Sequence, residues 1–240
     1  MKVVAVGDIH GCVLNFMNIL FDTDITGDEL ILLGDLFDRS PYLNGDKKLL
    51  ELVRIAQQNP QPWGFNKVTV LRGNHEDMLL RAIERGPESE AYELWEYNGG
   101  DPEFYAVAKQ NKRWLQGLPY YVVRGDYLFV HAGVRPNVPL EEQTNSDLIW
   151  IREEFLDHEH NLPYTVVHGH TPVEEVTVTN RHINLDTGCF FTNNLSHMEF
   201  EYAESMGSSH ELSRQTTSGD SDCTQSIGSE RESQKIESRV

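Results

Sequence analysis

Short apolar runs rich in β-branched residues alternate with longer amphipathic segments along this chain. The apolar runs cover residues 3–6, 30–33, 68–71, 127–130 and 165–167. The amphipathic segments cover residues 13–21, 47–57 and 76–85. Runs of this length predict buried strands, and segments with apolar residues at helical spacing predict helices. The alternation through the first half of the chain predicts an α/β fold.

The second half has a different pattern. Residues 88–116 read as helical, carry six aromatic residues and offer no candidate metal ligand, so we expect a cap beside a cleft. Residues 120–202 are rich in strands. Asp126 and the run Thr192-Asn193-Asn194 lie between strand-like runs, and both favour tight hairpin turns.

The last segment has the composition of a tail. Residues 203–240 are crowded with Ser, Gln, Glu, Thr and Gly and show no apolar period, so burial cannot offset their ordering entropy. We expect one folded domain over residues 1–202 and a disordered Ser-rich tail over residues 203–240. The serines could be phosphorylation sites, although the composition favours a passive tail.

Each of the five apolar runs ends in a short polar cluster. The clusters are Gly7-Asp8-Ile9-His10-Gly11, Gly34-Asp35-Leu36-Phe37-Asp38-Arg39, Arg72-Gly73-Asn74-His75-Glu76, His131-Ala132-Gly133 and Gly169-His170-Thr171-Pro172. Open α/β sheets build their sites at the carboxyl ends of strands, so the clusters should converge on one rim. A pair of divalent cations needs a carboxylate between them, with imidazole, carboxylate and carbonyl ligands around them. Water held by such a pair becomes hydroxide near neutral pH and can attack a phosphate ester.

The ordered blocks GDIHG, GDLFDR, RGNHE, HAG and GHTP resemble the signature of the metal-dependent serine/threonine phosphoprotein phosphatases, in their compact bacterial and bacteriophage branch. The resemblance extends to about Tyr202 and implies a catalytic domain built from two packed mixed β-sheets flanked by helices, the α/β/β/α sandwich of metallophosphoesterases. It implies two divalent metal ions per chain, with manganese favoured and iron, zinc or cobalt as alternatives. Residue by residue, it implies metal ligands at Asp8, His10, Asp35, Asn74, His131 and His170, with Asp35 between the ions.

The same resemblance implies roles for four further residues. His75 would be the general acid that protonates the departing alkoxide, and Asp38 would orient it. Arg39 and Arg152 would bind the phosphoryl oxygens, since planar guanidinium matches phosphate geometry. The family usually has glycine after the arginine of the second block, and here Ser40-Pro41 follows, which leaves the direction of Arg39 open.

Other polar residues have alternative interpretations. Arg72 could contact phosphate or brace its loop through an ion pair, and we read His168 as a packing residue. The run Asn98-Gly99-Gly100 could end a helix or line the substrate cleft. Cys12 and Cys189 could have a redox role, although two buried thiols are the simpler reading.

Three functions fit these residues. We favour a protein phosphatase that acts on phosphoserine or phosphothreonine and could accept phosphotyrosine, with a phosphoprotein or phosphopeptide as its substrate. The alternative is a symmetrical diadenosine tetraphosphate hydrolase or another nucleotide phosphohydrolase. In that branch, as the resemblance has it, the aspartate at the position of Asp38 and the glutamate at Glu76 are missing, and a long insertion separates the last two histidine motifs. The third function is that of a binding module that keeps the fold without catalysis, but such a module would not need the complete set of metal ligands.

The charge and composition of the chain limit the classes of binding partner that we expect. The formal net charge of -18 argues against nucleic acid or an anionic membrane as a partner. Lys2 is followed at once by a core strand, so we expect no cleavable leader and a cytoplasmic protein. We also expect a monomer. Three cysteines, Cys12, Cys189 and Cys223, are too few and too scattered for a disulfide framework.

Overall fold

The computed structural model describes residues 1–203, so almost all of the predicted tail, residues 203–240, lies outside the described residues. The described strands are β1 (Lys2–Val6), β2 (Gly27–Leu32), β3 (Phe65–Val70), β4 (Tyr121–Arg124), β5 (Tyr127–Val130), β6 (Thr165–His168), β7 (Thr177–Val178), β8 (His182–Asn184) and β9 (His197–Glu201). The described α-helices are α1 (Val13–Phe21), α2 (Gly45–Gln58), α3 (Asn74–Arg85), α4 (Glu90–Tyr97), α5 (Pro102–Gln110), α6 (Lys112–Gln116), α7 (Asn145–Trp150), α8 (Glu153–Leu156) and α9 (Cys189–Thr192). Within this range, no helix has the length and apolarity needed to span a bilayer.

The strands form two sheets. The first has the order β3-β2-β1-β9, in which β1, β2 and β3 are parallel and β9 is antiparallel to β1. The second has the order β4-β5-β6-β8-β7, in which β5, β6 and β8 are parallel and β4 and β7 are antiparallel at the edges. Both sheets are therefore mixed, with one antiparallel edge strand in the first and two in the second.

Three apolar layers hold the two sheets and their helices together. Val3 and Ala5 of the first sheet pack against Phe129 and Val167 of the second, which forms the layer between the sheets. The outer face of the first sheet packs against helices α1 to α6, and the outer face of the second packs against the segment of α7 and α8. Central strands covered on both faces need continuous apolar runs, which explains the unbroken run in β1. The predicted sandwich of two mixed sheets flanked by helices is confirmed.

The element boundaries follow the apolar periodicity closely. Helix α1 has the predicted bounds, whereas α2 and α3 each begin two residues before the predicted start. The predicted hairpin at Asp126 joins β4 and β5. The predicted hairpin at residues 192–194 is wrong, because β8 lies in the second sheet and β9 in the first, with α9 between them. The polar residues 192–194 therefore lie in the connection that leads from the second sheet to the first.

Candidate metal centre

The predicted ligands follow the carboxyl ends of five strands in two sheets. Asp8, Asp35 and Asn74 come after β1, β2 and β3, and His131 and His170 come after β5 and β6. Because the strands within each set are parallel, each set of loops emerges at one edge of its sheet. All five residues are buried, and the two edges meet at one place.

Asp35 links two groups of potential ligands. His10, Asp35 and His75 form one group, and Asp35, His131 and His170 form the other, with the ligand atoms of each group within 4.8 Å of one another. Oδ2 of Asp35 lies 3.7 Å from His10 Nε2, and Oδ1 lies 3.3 Å from His131 Nε2. One carboxylate thus presents a different oxygen to each group, which is the arrangement needed to bridge two cations.

Two buried polar atoms of the centre lack a hydrogen-bond partner among the described residues. They are Asp8 Oδ1 and His170 Nε2. Leaving such atoms without a partner costs about 1–3 kcal/mol each, and a divalent cation would satisfy both. Oδ2 of Asp8 accepts from the backbone N–H of His170 (3.0 Å). Asp8 also packs so closely on Gly169 that a Cβ there would lie 1.9 Å from its Oδ1. The oxygen and nitrogen donors therefore fit a metal pair.

The protonation of the ligands favours metal binding. Burial lowers the pKa of His10 to about 3 and the pKa of His170 to about 2, so both imidazoles are neutral. Burial acts to raise the pKa of Asp35, but the charges of His131 and His75 lower it well below its usual range. Burial, followed by the charge of Asp186, raises the pKa of Asp8 well above its usual range. Cations would relieve this crowding of buried carboxylates.

Backbone carbonyl groups orient two of the imidazole rings. Nδ1 of His10 lies 3.0 Å from the carbonyl oxygen of Phe37, and Nδ1 of His131 lies 3.0 Å from that of Leu33. A ring that donates from Nδ1 keeps its Nε2 free as a metal ligand. Nε2 of His131 lies 2.9 Å from Asn74 Oδ1, so these two predicted ligands lie side by side.

Glu76 braces the loop that carries Asp35, a function that the sequence analysis missed. Its Oε2 accepts from the backbone N–H groups of Asp35 (2.8 Å) and Gly73 (2.9 Å), and its Oε1 accepts from that of Leu36 (2.8 Å). Glu76 lies in the first turn of α3, where a side chain can reach back past the start of the helix. The three-residue spacing between Gly73 and Glu76 predicts the contact with Gly73. Nothing in the sequence indicates the contacts with Asp35 and Leu36, which follow β2.

His75 and Asp38 form a buried pair beside the first group. His75 Nδ1 lies 2.8 Å from Asp38 Oδ2, and Asp38 Oδ1 accepts from Trp95 Nε1 at 2.9 Å. Burial lowers the pKa of His75 and raises the pKa of Asp38 well above its usual range. The predicted cap segment therefore has a direct link to the centre, because α4 delivers Trp95 to Asp38.

Arg39 remains close to the centre despite the Ser40-Pro41 sequence. Its Nε donates to the carbonyl oxygen of Asn98 (3.2 Å), its backbone N–H donates to that of Gly99 (2.9 Å), and its guanidinium lies 5.3 Å from the ring centre of Phe190. The charge of Arg39 contributes to lowering the pKa of His10, after burial and the charge of His75. The Asn-Gly-Gly run therefore both ends α4 and holds Arg39.

Arg152 lies beside the second group. Its Nη1 donates to Thr171 Oγ1 (3.2 Å), the residue after His170. Its charge adds to the burial that lowers the pKa of His170. The structure therefore brings the two predicted arginines to the metal centre from different ends, one by His10 and one by His170.

Two residues with alternative interpretations have structural contacts. Arg72 is 1% exposed, donates to Tyr120 Oη (3.1 Å) and to the carbonyl oxygen of Leu115 (2.6 Å), and lies 3.9 Å from an oxygen of Asp77. It braces its loop. His168 is fully buried, with its ring nitrogens near the carbonyl oxygen of Gly169 and the ring of His182.

Several loops of the centre adopt left-handed backbone conformations at residues other than glycine. They occur at His10 (φ 45°), Asp35 (φ 48°), Asp38 (φ 70°), Arg39 (φ 59°) and His170 (φ 66°). Side chains with a Cβ rarely adopt this region, and each costs roughly 1–2 kcal/mol. Hydrogen bonds hold these turns in place, among them those from the backbone N–H groups of Asp35 to Glu76, of Arg39 to Gly99 and of His170 to Asp8.

Asp186 and Phe190, which follow β8, also reach the centre. Asp186 interacts with Asp8, and burial raises its pKa to about 6. The ring of Phe190 lies 5.1 Å from that of His10 at an angle of 74°. Cys189 lies between them in the chain and is buried, as is Cys12. The loop after β8 is thus a sixth loop at the centre. In the sequence, only the run Asp186-Thr187-Gly188 after a short strand could have indicated it.

Comparisons with known proteins agree with this geometry. The sequence profile of the calcineurin-like phosphoesterases matches residues 1–202. The asymmetrical bis(5'-nucleosyl)-tetraphosphatase PrpE of Bacillus subtilis (strain 168) is 27% identical over 235 residues, covering 84% of this chain and 91% of that protein. A crystal structure of a protein provisionally described as a diadenosine tetraphosphatase aligns with a TM-score of 0.58 and 23% identity, covering 91% of this chain and 95% of that chain. A mutant of a cold-active protein tyrosine phosphatase also aligns with a TM-score of 0.58, at 18% identity, covering 82% and 74%.

Proposed function

Because the chain belongs to the calcineurin-like phosphoesterase family, we propose that it is a metal-dependent hydrolase that cleaves bis(5'-nucleosyl) tetraphosphates into unequal products. The family relation makes the chain a metallophosphoesterase and a phosphohydrolase with a dinuclear metal centre. One observation carries the proposal at the level of the site. Asp35 presents one carboxylate oxygen to each of two histidine-containing groups.

Six residues would hold the two ions. They are Asp8, His10, Asp35, Asn74, His131 and His170, with Asp35 between the ions. Mixed oxygen and nitrogen ligands suit manganese, iron, zinc or cobalt, and manganese is our choice. Bound there, the ions would act as Lewis acids on the phosphoryl group and lower the pKa of a coordinated water.

The remaining residues would bind and protonate the substrate. Arg39 and Arg152 would each donate to non-bridging oxygens of the attacked phosphoryl group, where hydrogen bonds strengthen as charge redistributes. His75 would donate a proton from Nε2 to the departing oxygen, while Asp38 accepts from Nδ1 and fixes the ring. Water adds across one phosphoanhydride bond, and the products are a nucleoside monophosphate and a nucleoside triphosphate.

Similarity to named tetraphosphatases supports the nucleotide substrate. The sequence analysis favoured a protein phosphatase because Asp38 and Glu76 are present and the last two histidine motifs lie close together. The comparisons favour its alternative, a nucleotide phosphohydrolase, because the B. subtilis protein that covers most of this chain is named for a dinucleoside tetraphosphate. The substrate partner we propose is therefore a small nucleotide in place of a phosphoprotein.

Phosphomonoester hydrolysis is the second candidate, and the His75–Asp38 pair favours it. A serine alkoxide is a poor leaving group and needs a proton, whereas a nucleoside triphosphate leaves readily without one. A buried imidazole oriented by a carboxylate at 2.8 Å is the arrangement that a general acid requires. The pair is therefore of greatest use with phosphoserine or phosphothreonine.

A substrate comparison on the full chain tests the two candidates. Diadenosine tetraphosphate, a phosphoserine peptide and a phosphotyrosine peptide are each supplied with Mn²⁺, and the nucleotide products are separated by chromatography. We expect the highest kcat/KM for diadenosine tetraphosphate, with ATP and AMP as products, and no turnover by the Asp35→Asn variant. A higher kcat/KM for either peptide would reject the proposed substrate, and two molecules of ADP would reject the unequal cleavage.

A further inference from the structure

An aromatic pair in α9 extends from the metal centre to the surface. The ring of Phe190 contacts that of His10 on one side and lies 5.3 Å from the guanidinium of Arg39. The ring of Phe191 then meets that of Phe190 edge to face, at 4.8 Å and 84°. A continuous chain of contacts thus joins a predicted metal ligand, a predicted phosphate-binding arginine and an aromatic surface.

Phe191 is 63% exposed, and its ring contacts both Gly188 and Phe190. Its ring rests on the backbone of Gly188, where an added Cβ would lie 2.2 Å from the ring. Gly188 also has a φ of 65°, so two separate constraints favour glycine beneath the ring. The exposed part of the ring therefore faces solvent from a fixed base.

The segment that carries Phe191 is anchored at both ends. Cys189 is buried, and Thr192 Oγ1 donates to the carbonyl oxygens of Thr187 (2.8 Å) and Gly188 (3.0 Å). Beyond the helix, Asn15 Nδ2 donates to the carbonyl oxygen of Asn193 (2.9 Å). An anchored aromatic surface loses little conformational freedom when a flat ligand stacks on it.

We propose that Phe191 is the stacking platform for one nucleobase of the substrate, and hence a specificity-determining residue. This assignment rests on the proposed function, in which Arg39 binds the phosphate chain. Nucleobases stack on aromatic side chains with little regard to base identity, and removing the aromatic ring commonly weakens binding by roughly tenfold or more. The platform would supply affinity for the nucleoside without selecting among bases.

Two exposed aromatic residues lie beside the centre, Phe191 and Trp150. The segment from Thr187 to Asn194 contains no charged residue. On the other side of the centre, Trp150 is 40% exposed and lies 6.0 Å from the ring of His170. It borders a depression of about 340 Å³ that is also lined by Arg135, Asp147, Arg152, Glu153 and Glu154. Trp150 is therefore the rival platform, and the contacts that run from Arg39 through Phe190 to Phe191 favour Phe191.

Two competitive inhibitors isolate the contribution of the nucleoside. ATP and inorganic tripolyphosphate carry the same phosphate chain, and only ATP carries a base. Their inhibition constants are measured against hydrolysis of nitrophenyl phosphate by the full chain, at one fixed concentration of free Mn²⁺. The ratio of the tripolyphosphate constant to the ATP constant reports the contribution of adenosine alone.

Phe21 provides a matched control. It is 61% exposed, and its ring packs edge to face on Trp63 at the end of α1. We expect Phe191→Ala to reduce the ratio by about tenfold, Phe191→Trp to maintain it, and Phe21→Ala to leave it at the wild-type value. Because the ratio cancels changes in metal content or folding, a general defect in Phe191→Ala would not imitate this result.

The platform is rejected if Phe191→Ala keeps the wild-type ratio, or if Trp150→Phe and Trp150→Ala change the ratio while the Phe191 variants do not. These outcomes are separate from the substrate test. A wild-type chain that fails to hydrolyse diadenosine tetraphosphate rejects the proposed function, whereas the ratio of inhibition constants still shows whether Phe191 binds a base.

Discussion

Glu76→Gln should lower both the stability of the fold and its affinity for metal ions, although Glu76 is neither a predicted metal ligand nor a predicted phosphate-binding residue. The side chain is 1% exposed, and its two oxygens accept three backbone N–H groups, from Asp35, Leu36 and Gly73. A glutamine keeps two of these bonds if its carbonyl takes the Oε2 position. Its NH₂ group then faces the N–H of Leu36, and a buried donor without a partner costs about 1–3 kcal/mol. The two retained bonds also lose the assistance of a charge.

We therefore expect a loss of about 2–3 kcal/mol, or a fall of about 5–10 °C in Tm for a domain of this size. The measurement is thermal unfolding at pH 8 with Mn²⁺ present: burial and the charge of Asp35 raise the pKa of Glu76 to about 7, and cations bound at Asp35 would offset that charge and keep Glu76 ionised. Bound manganese is counted by elemental analysis after dialysis, and we expect fewer ions per chain than in the wild type. Glu90→Gln is the control, because Glu90 also lies in the first turn of a helix but is exposed. A Tm within about 1 °C of wild type, or equal losses in both variants, would refute the brace.

Three further outcomes follow from the site and its surroundings. His75→Asn should lower turnover of a phosphoserine peptide by on the order of a hundredfold, and of nitrophenyl phosphate by much less, with metal content unchanged; equal losses on both substrates would exclude a general acid. Arg39→Lys and Arg152→Lys should each lower kcat by roughly tenfold or more, because lysine keeps the charge but loses the planar fork; a near-normal Arg39→Lys variant would remove Arg39 from the centre. Burial and the charge of Asp38 raise the pKa of Asp46 to about 8, so its ionisation should cost the folded state stability as pH rises from about 4 to 8. Asp46→Asn should therefore melt at least ~4 °C above the wild type at pH 9 and close to it at pH 4, and a difference that does not change between these pH values would contradict this cause.

The convergence of the predicted metal ligands could be expected from sequence because the five loops that carry them each follow a different strand. Asp8 follows β1 by two residues and Asp35 follows β2 by three, so the strand pattern alone locates them at sheet edges. The contacts of the ligands with one another depend on the loop conformations: His75 lies with His10 and Asp35 in one group, and Oδ2 of Asp8 accepts from the backbone N–H of His170.

Contacts between the loops of the first sheet and the helices that pack on it could not be predicted. Trp95 reaches Asp38 from a helix that looked like a separate cap, and Glu76 reaches Leu36 across the space between two loops. A helical period shows which side of α4 is apolar, but it does not show which buried acceptor its indole N–H will find. The tail, the monomeric state and the cytoplasmic location stay predictions.

The left-handed turns at the centre have a consequence for the evolution of related chains. Outside the centre, the described residues that adopt this conformation without being glycine are Asn44, Asn137 and Asn193, and asparagine is the side chain that tolerates it most readily. At the centre they are histidines, aspartates and an arginine, which tolerate it less well. Selection for stability alone would replace such residues by glycine or asparagine once the chemistry no longer matters. A descendant that has lost its activity should therefore show that drift at positions 10, 35, 39 and 170 before its core changes, so these turns would record the loss of function.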